Sequence, residues 1–262
     1  MSRKLLLASA GAIALTGSAA MAAEPPVYPP PPPPPIFTWT GAYLGGQIGY
    51  AWGTNNASLF ANNSTHFADS TFDSNLGGVI GGAHVGYNLQ INQWVVGLEG
   101  TVDGTSLSQT LVAPFSGNIP AGSVATEASS DIQGSIRGRV GVAFDRALIY
   151  ATGGVAVGGF NATFSNGIAE KFLPVGSTSV FSSTRVGWTV GGGIEYAITN
   201  NWSVGAEYRY TDFGTFTDSP FADSFTGGWV ATANHHITQN QVQVGFSYKF
   251  DLYTPPPIIA KY

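Results

Sequence analysis

Apolar and polar residues alternate with a period of two along most of the chain between residues 36 and 250. The clearest run is QVQVGFSYKF, in which Val242, Val244, Phe246, Tyr248 and Phe250 share one face. Alternation over this length indicates a β-strand with one apolar face. Eight such runs are predicted to be strands, at residues 40–53, 78–90, 93–104, 131–144, 147–160, 184–198, 201–214 and 236–250.

The lengths of the runs and of their connections indicate where such strands lie. A tilted membrane strand needs about 9–11 residues, whereas strands of soluble proteins average about 5–6. Tight turns are predicted at residues 90–93, 145–146 and 199–201, and long polar loops at 54–77, 105–130, 161–183 and 215–235. Short turns at one end and long loops at the other are typical of outer-membrane barrels. The pattern predicts an all-β fold, an eight-stranded antiparallel up-and-down transmembrane β-barrel over residues 36–250, closed because lipid tolerates no unpaired sheet edge.

Aromatic residues fall near both ends of the predicted strands. Rings with one apolar and one polar side prefer the interfaces of a membrane. We expect one belt beside the short turns, formed by Tyr87, Trp94, Phe144, Tyr196, Trp202 and Phe250, and a second at the opposite ends, formed by Trp52, Trp188 and Tyr210. The alternative is that these aromatics fill the core of a soluble β-sandwich.

The two ends of the chain have a different composition from the domain between them. Residues 1–22 are predicted to be a signal peptide, because Arg3 and Lys4 precede a short apolar stretch and Ala20-Met21-Ala22 fits a cleavage site. Residues 23–35 are predicted to be a proline-rich periplasmic spacer, and residues 251–262 a C-terminal tail that is also rich in proline. No other stretch approaches 18 consecutive apolar residues, so no transmembrane helix is expected in the mature chain.

Composition excludes several classes of site. The chain has no cysteine, which rules out disulfides, thiolate metal ligands and a cysteine nucleophile. Its formal net charge of −5 argues against a nucleic-acid partner, which requires a basic face.

Both ends of the predicted barrel resemble a known family. The stretch WTGAYLGGQIGYAWG, after a proline-rich spacer, resembles the first strand of alphaproteobacterial outer-membrane surface proteins of the opacity-type "porin family", and VGFSYKF resembles their last strand. The resemblance, which covers residues 36–250, implies a barrel in the cell outer membrane, often a surface antigen, without catalytic residues. In such barrels the final aromatic is read by the barrel assembly machinery. Here Phe250 is followed by DLYTPPPIIAKY, so Phe250 and Tyr262 are both candidates for that signal.

Charged residues of both signs are predicted on the inward face of the strands. The interior of an eight-stranded barrel is just wide enough for side chains to fill, and charges placed there need partners. The candidate lumen charge network is Glu99, Asp103, Arg137, Arg139, Arg185, Glu195, Glu207, Arg209 and Lys249. We expect Glu99 and Arg139 at similar height, and the whole set to form a packed plug. The alternatives are a narrow charged pore and paired carboxylates that act as acid and base.

The four histidines offer little chemistry. His235 and His236, with Asp218 or Asp223, would be the candidate metal ligands, but adjacent histidines in a predicted loop edge favour solvated side chains. His84 is predicted to point inward, with no inward serine within reach. The sequence therefore predicts no metal, cofactor-binding or catalytic residues.

The predicted external loops are rich in Ser, Thr, Asn and Gly and carry aromatics that favour surface contacts. These aromatics are Phe115, Phe181, Phe216, Phe221, Phe225 and Trp229. The preferred function is a structural or interaction role through the four loops, with a packed lumen. A narrow porin for small solutes is the alternative, and an outer-membrane hydrolase is the third hypothesis. Expected partners are outer-membrane lipid and lipopolysaccharide, the assembly machinery, and the cell wall or a host surface. The barrel is expected to be a monomer.

Overall fold

The computed structural model describes residues 37–62, 67–114, 116–117, 123–166, 178–219 and 230–250. The predicted signal peptide, spacer and C-terminal tail lie outside the described residues. Within these residues there is no helix long and apolar enough to cross a membrane. The strands are β1 (Gly41–Asn62), β2 (Phe67–Ile91), β3 (Trp94–Pro114), the two-residue β4 (Ser116–Gly117), β5 (Ser123–Phe144), β6 (Ala147–Asn166), β7 (Thr178–Ala197), β8 (Trp202–Asp218) and β9 (Val230–Phe250).

The eight long strands close into one antiparallel barrel. Each pairs with the long strand before it, while β4 pairs only with the outer end of β2. Strand β1 pairs with β2, where Gly41 lies opposite Asn88, and with β9, where Ala42 lies opposite Phe250. The predicted fold class is confirmed.

The short turns lie close to their predicted positions. Strands β2 and β3 are joined by Asn92 and Gln93, and β5 and β6 by Asp145 and Arg146. Asn92 and Asp145 have φ angles of 57° and 53°, a left-handed conformation that Asn and Asp tolerate better than most residues. These tight turns fix the register of their hairpins.

At the opposite ends the strands run further than predicted. Residues 54–62 were expected to lie in a loop, but they pair with residues 67–75 of β2. Three predicted strand ends, at residues 104, 131 and 214, coincide with register shifts at Gly104/Leu107, Ser130/Gln133 and Asp212/Thr215. A bulge adds an unpaired residue and moves the following side chains to the other face, so the alternation breaks while the ladder continues. The predicted extent of the long loops was therefore wrong.

The outer wall carries an apolar band bounded by polar residues. Ile48, Leu98 and Ile136 are 59–66% exposed, which only a lipid-facing surface explains. On β1 the outward side chains change from Trp52 to Thr54 and Asn56, and on the neighbouring β9 they change from Val242 to Asn240 and Thr238 at a similar height. The alternative of a soluble sandwich core for the aromatics is excluded by this exterior.

Candidate functional site

The lumen is the candidate site because seven charged side chains of the described strands converge there. Its centre is Arg137 on β5, which is 1% exposed. The Arg137 guanidinium forms ion pairs with Glu99 on β3 and, at 2.6 Å, with Glu207 on β8, and it donates to Thr152 Oγ1 at 3.1 Å. One arginine thus joins strands on opposite sides of the barrel.

A second arginine extends the network toward the short turns. Arg139 pairs with Glu195 on β7 and lies 3.9 Å from Glu99 Oε2. Its guanidinium stacks 3.6 Å from the ring centre of Tyr150. Tyr150 donates to Glu207 Oε2 at 3.1 Å, and Tyr43 donates to Glu99 Oε2 at 2.8 Å, so both tyrosines also satisfy carboxylates.

A third arginine extends it toward the long ends. Arg209 Nη2 lies 2.9 Å from Glu207 Oε1, and Arg209 Nη1 lies 3.9 Å from Asp103 Oδ2. Asp103 also accepts a hydrogen bond of 2.6 Å from Gln47 Nε2. With the contacts of His84 described below, the central network draws side chains from all eight long strands.

The structure brings together seven of the nine predicted charged residues and places two apart. The seven are Glu99, Asp103, Arg137, Arg139, Glu195, Glu207 and Arg209. Arg185 lies in the outer half, with its guanidinium 3.9 Å from the ring centre of Phe216. Lys249 lies at the short-turn end, where its ammonium donates to the Thr38 carbonyl and covers Phe37. The alternation predicts which charged residues point inward. It does not predict their height along the barrel, which decides which of them come into contact.

The prediction that Glu99 lies level with Arg139 along the strands was wrong. Arg137 lies directly opposite Glu99 in the register of β3 and β5, and Arg139 lies opposite Gly97. The close partner of Arg139 is therefore Glu195, and its contact with Glu99 is the longer one.

Neutral members of the network were not predicted. They lie at inward positions of their strands, so the alternation of inward and outward residues could have identified them. These residues are Tyr43, Tyr150, Gln47 and Gln243. The tyrosines fit because the strands beside them carry glycine: a Cβ on Gly86 would lie 2.4 Å from Tyr43 Oη, and one on Gly193 would lie 2.7 Å from Tyr150 Oη.

His84 points inward as predicted, but the prediction that no serine reaches it was wrong. Ser247 Oγ lies 2.9 Å from His84 Nε2, and His84 Nδ1 lies 2.6 Å from Gln47 Oε1. Ser247 is opposite Gly45, which is opposite His84 in the register of β2, β1 and β9. The sequence missed this pair because it requires the closure of the barrel between β1 and β9.

His235 and His236 point to opposite sides of the wall. The His235 ring is 3% exposed and stacks on Phe216 with centroids 5.0 Å apart. His236 is on the outer face, 3.1 Å from Thr215 Oγ1 and 3.7 Å from Asp212 Oδ1. Adjacent strand residues diverge in this way, so the two histidines do not face one ion. Among the described residues no group of three or more acidic or histidine side chains is placed to hold a metal.

Apolar side chains fill the lumen on both sides of the network. Nearest the short turns, Trp39 packs with Val95, Ala143, Leu148 and Ala197. Two more clusters lie toward the opposite ends of the strands. One consists of Ala51, Leu76, Ile80 and Leu107. The other consists of Ala156, Phe160, Phe213 and Ile237, with Phe216 packed against it. Phe181 and Phe216, expected to favour surface contacts, are half-buried and line a cavity of about 30 Å³ inside the wall. The remaining four predicted contact aromatics lie outside the described residues.

The predicted interface aromatics lie on the outer wall at the two edges of the apolar band. Tyr87, Trp94, Phe144, Tyr196, Trp202 and Phe250 are exposed beside the short turns. At the other edge Trp52 and Trp188 are exposed, and Tyr210 is half-exposed with its ring 5.5 Å from that of Trp188.

Comparison with known sequences shows the family of the chain. The family model of the outer membrane protein beta-barrel domain matches residues 10–250. The 31 kDa outer-membrane immunogenic protein of Brucella melitensis is 35% identical, covering 82% of this chain and 85% of the relative. The 22 kDa outer membrane protein of Rhizobium leguminosarum is 32% identical, covering 81% and 79%. The crystal structure of OprG from Pseudomonas aeruginosa is 12% identical with a TM-score of 0.46, covering 80% of this chain and 96% of OprG. The chain is an outer-membrane β-barrel and belongs to the outer membrane protein beta-barrel domain family.

Proposed function

We propose that the protein is a surface barrel with a non-conducting lumen, whose outer end carries a structural or interaction role. The observation that supports the closed lumen is the layered filling described above. Ion pairs occupy the middle, while apolar clusters lie on both sides of them. An apolar constriction stops ions because it expels water.

The outer end of the barrel suits an interaction role because its strands stay paired beyond the membrane and form a rigid scaffold. Its outward side chains form polar ladders between strands, including Thr54 with Thr238 at 3.0 Å and Thr217 with Asn234 at 2.7 Å. The apolar clusters toward the long ends support that wall from inside, in the manner of a soluble protein. Rigid scaffolds of this kind commonly present binding loops. We further propose lipopolysaccharide as its neighbour and, because the Brucella melitensis relative is named immunogenic, an antibody-accessible surface.

We also propose that the protein is not an enzyme. Ser247 and His84 resemble a nucleophile and base, but Gln47 takes the place of a carboxylate at His84 Nδ1. The cavity beside them measures about 40 Å³, which is too small for a substrate. For assembly we propose Phe250 as the recognised aromatic, since it ends β9 and faces outward.

Single-channel conductance in a planar bilayer tests the proposal. The protein is first shown to be folded by the shift of its gel mobility on heating. We expect no ion steps from the wild-type protein at voltages that reveal steps from a porin measured in parallel. Reproducible steps whose ion selectivity changes in Arg137→Ala would instead establish the narrow porin and overturn the closed lumen.

A further inference from the structure

The segment before β1 lies inside the barrel mouth at the short-turn end. Phe37–Thr40 has no strand pairing, yet Trp39 is 4% exposed. Its partners Val95, Ala143, Leu148 and Ala197 belong to β3, β5, β6 and β7. Trp39 enters from the β1 side of the barrel and therefore extends across the opening. The short turns of an outer-membrane barrel face the periplasm, so this is the periplasmic mouth.

Single side-chain contacts hold this segment in place. The Trp39 amide donates to Gln90 Oε1 at 2.8 Å, and the Gln90 amide donates to Thr40 Oγ1 at 2.9 Å. Phe37 packs edge-on against Trp39 with centroids 5.2 Å apart, and the Arg146 guanidinium lies 5.2 Å from the Phe37 ring centre. The barrel wall, by contrast, is a continuous ladder. Segments held by few contacts at a solvent-exposed rim open locally at lower cost than the ladder does.

Between the segment and the turn that joins β7 and β8 lies a small cavity with unpaired polar groups beside it. The cavity measures about 20 Å³, and its lining includes Trp39, Asn88, Glu195, Ser247 and the turn residues 199–201. Glu195 and Ser247 also line the 40 Å³ cavity beside His84. Trp39 Nε1 and Asn88 Oδ1 have no hydrogen-bond partner among the described residues, although both residues are more than 95% buried. A buried water needs about 10–15 Å³ and polar groups to bind. One donor, one acceptor and this volume match a water molecule.

We propose that residues 37–40 form a stopper that, together with the turn between β7 and β8, closes a hydrated chamber against the periplasm, with a water held between Trp39 Nε1 and Asn88 Oδ1. The chamber comprises the two cavities that share Glu195 and Ser247. On the external side the Phe160 and Phe213 cluster and the arginine network separate it from the cell surface. Opening of the stopper therefore gives solutes access from the periplasmic side alone. This role goes beyond the proposed function, which concerns the opposite end of the barrel.

Thiol labelling tests the stopper, since the natural chain contains no cysteine. Ser247→Cys places one thiol on the chamber wall, and methyl methanethiosulfonate is a reagent small enough to enter. Labelling of the folded protein is followed by mass spectrometry in three backgrounds, which are wild type, Trp39→Ala and Phe160→Ala. We expect slow labelling in the first and third, and a rate about ten-fold higher or more in the second, because labelling follows the population of the open form.

Phe160→Ala is the matched control because it also removes a buried aromatic but at the external end. Equal rates in the Trp39→Ala and Phe160→Ala backgrounds, or fast labelling in wild type, would overturn the stopper. If Ser247→Cys does not fold, Ser203→Cys offers a second thiol, because Ser203 lines the 20 Å³ cavity. Ion conductance by the wild-type barrel would contradict the proposed function, whereas the comparison of labelling rates would still decide the stopper.

The bound water has its own readout. The indole N–H signal of Trp39 is assigned by its loss in Trp39→Phe, and magnetisation transfer from water is measured in the folded protein. We expect a cross-peak from a long-lived water at Trp39 Nε1 and none at the exposed Trp94. Absence of the Trp39 cross-peak would overturn the water site.

Discussion

Arg137 shows at the scale of one residue why the lumen charges are interdependent. Its side chain is fully removed from solvent, and two carboxylates on different strands neutralise it. Taking a charge out of water is costly, and the cost is offset only when paired charges and hydrogen bonds surround it. Removal of either carboxylate therefore leaves a buried positive charge with less compensation.

Removal of both carboxylates is expected to destabilise the barrel strongly. In Glu99→Ala with Glu207→Ala, Arg137 remains buried without either ion-pair partner, which costs about 3–5 kcal/mol. Urea unfolding in lipid vesicles, followed by tryptophan fluorescence, measures the loss. Thr54→Ala with Thr238→Ala is the control, because it removes an exposed hydrogen-bonded pair outside the apolar band. An unchanged unfolding midpoint in the glutamate double variant would contradict the plug.

Inward glycines give a second prediction at the residue scale. A methyl group at Gly193 would lie 2.7 Å from Tyr150 Oη and 2.5 Å from the Ala206 carbonyl, so the tyrosine or the wall must move. We expect Gly193→Ala to lower stability by about 1–3 kcal/mol, the usual cost of overpacking. The same urea titration measures the loss, with Gly100→Ala as the control, since a Cβ at Gly100 would lie 3.9 Å from its nearest neighbour, the Ser135 carbonyl oxygen. Equal effects of the two substitutions would show that Gly193 does not make room for Tyr150.

At the scale of elements, the strands continue past the membrane, and the polarity of their inner and outer faces changes there. Inside the apolar band the outer face is apolar and the lumen is largely polar. Beyond the register shifts the outer face becomes mainly polar, although Phe60, Val112 and Val180 are exposed there. Phe160, Phe213 and Ile237 fill the interior. The reversal follows from the solvent, which is lipid around the lower part and water around the upper part.

This reversal explains which parts of the fold the sequence predicts. Alternation with an apolar outer face predicts all eight strands and their short turns, although glycine interrupts it in β1, β2 and β6. Beyond Trp52 the outward residues Thr54 and Asn56 are polar, so the pattern resembles a loop although the backbone stays paired. In β8, Gly214 at φ 76° adds the residue that moves Phe216 to the inner face. The period-two pattern of a single sequence does not show where a bulge moves the side chains to the other face.

The same limits apply to the candidate site. The alternation of apolar and polar residues correctly predicts that Glu99, Arg137 and Glu207 point into the barrel, because each lies on the polar face of its strand. Partner choice depends on the stagger of the strands around the closed barrel, which decides that Arg137 rather than Arg139 meets Glu207. Trp39 opens the stretch that resembles the family's first strand, but it precedes β1 and belongs to no alternating run, so the sequence does not predict its place inside the barrel mouth.

Hydrogen exchange tests the extension of the strands. We expect the amides of residues 54–62 that bond to β2 or β9 to exchange far more slowly than those of an open loop, because both neighbours hold this part of β1 in the ladder. Exchange is followed by mass spectrometry of peptides from the folded protein. The turn residues Asn92 and Gln93 serve as the fast reference. Equally fast exchange at residues 54–62 and 92–93 would restore the predicted loop.

At the scale of the whole molecule, the tryptophans report how the barrel sits in the bilayer. Trp94 and Trp202 mark the edge of the apolar band near the short turns, and Trp52 and Trp188 mark the other edge. All four side chains face outward, whereas Trp39 lies within the mouth. Interfacial rings lie at the level of the lipid head groups.

Quenching by brominated lipids separates these positions. In variants that each keep one tryptophan, with the others changed to Phe, we expect lipids brominated near the head group to quench the four interfacial tryptophans more than lipids brominated near the chain end. Trp39 should be quenched by neither, because the barrel wall separates it from the acyl chains. Strong quenching of Trp39 would mean that the segment before β1 lies on the lipid side of the wall. That outcome would remove the stopper and leave Val95, Ala143 and Leu148 uncovered at the periplasmic mouth.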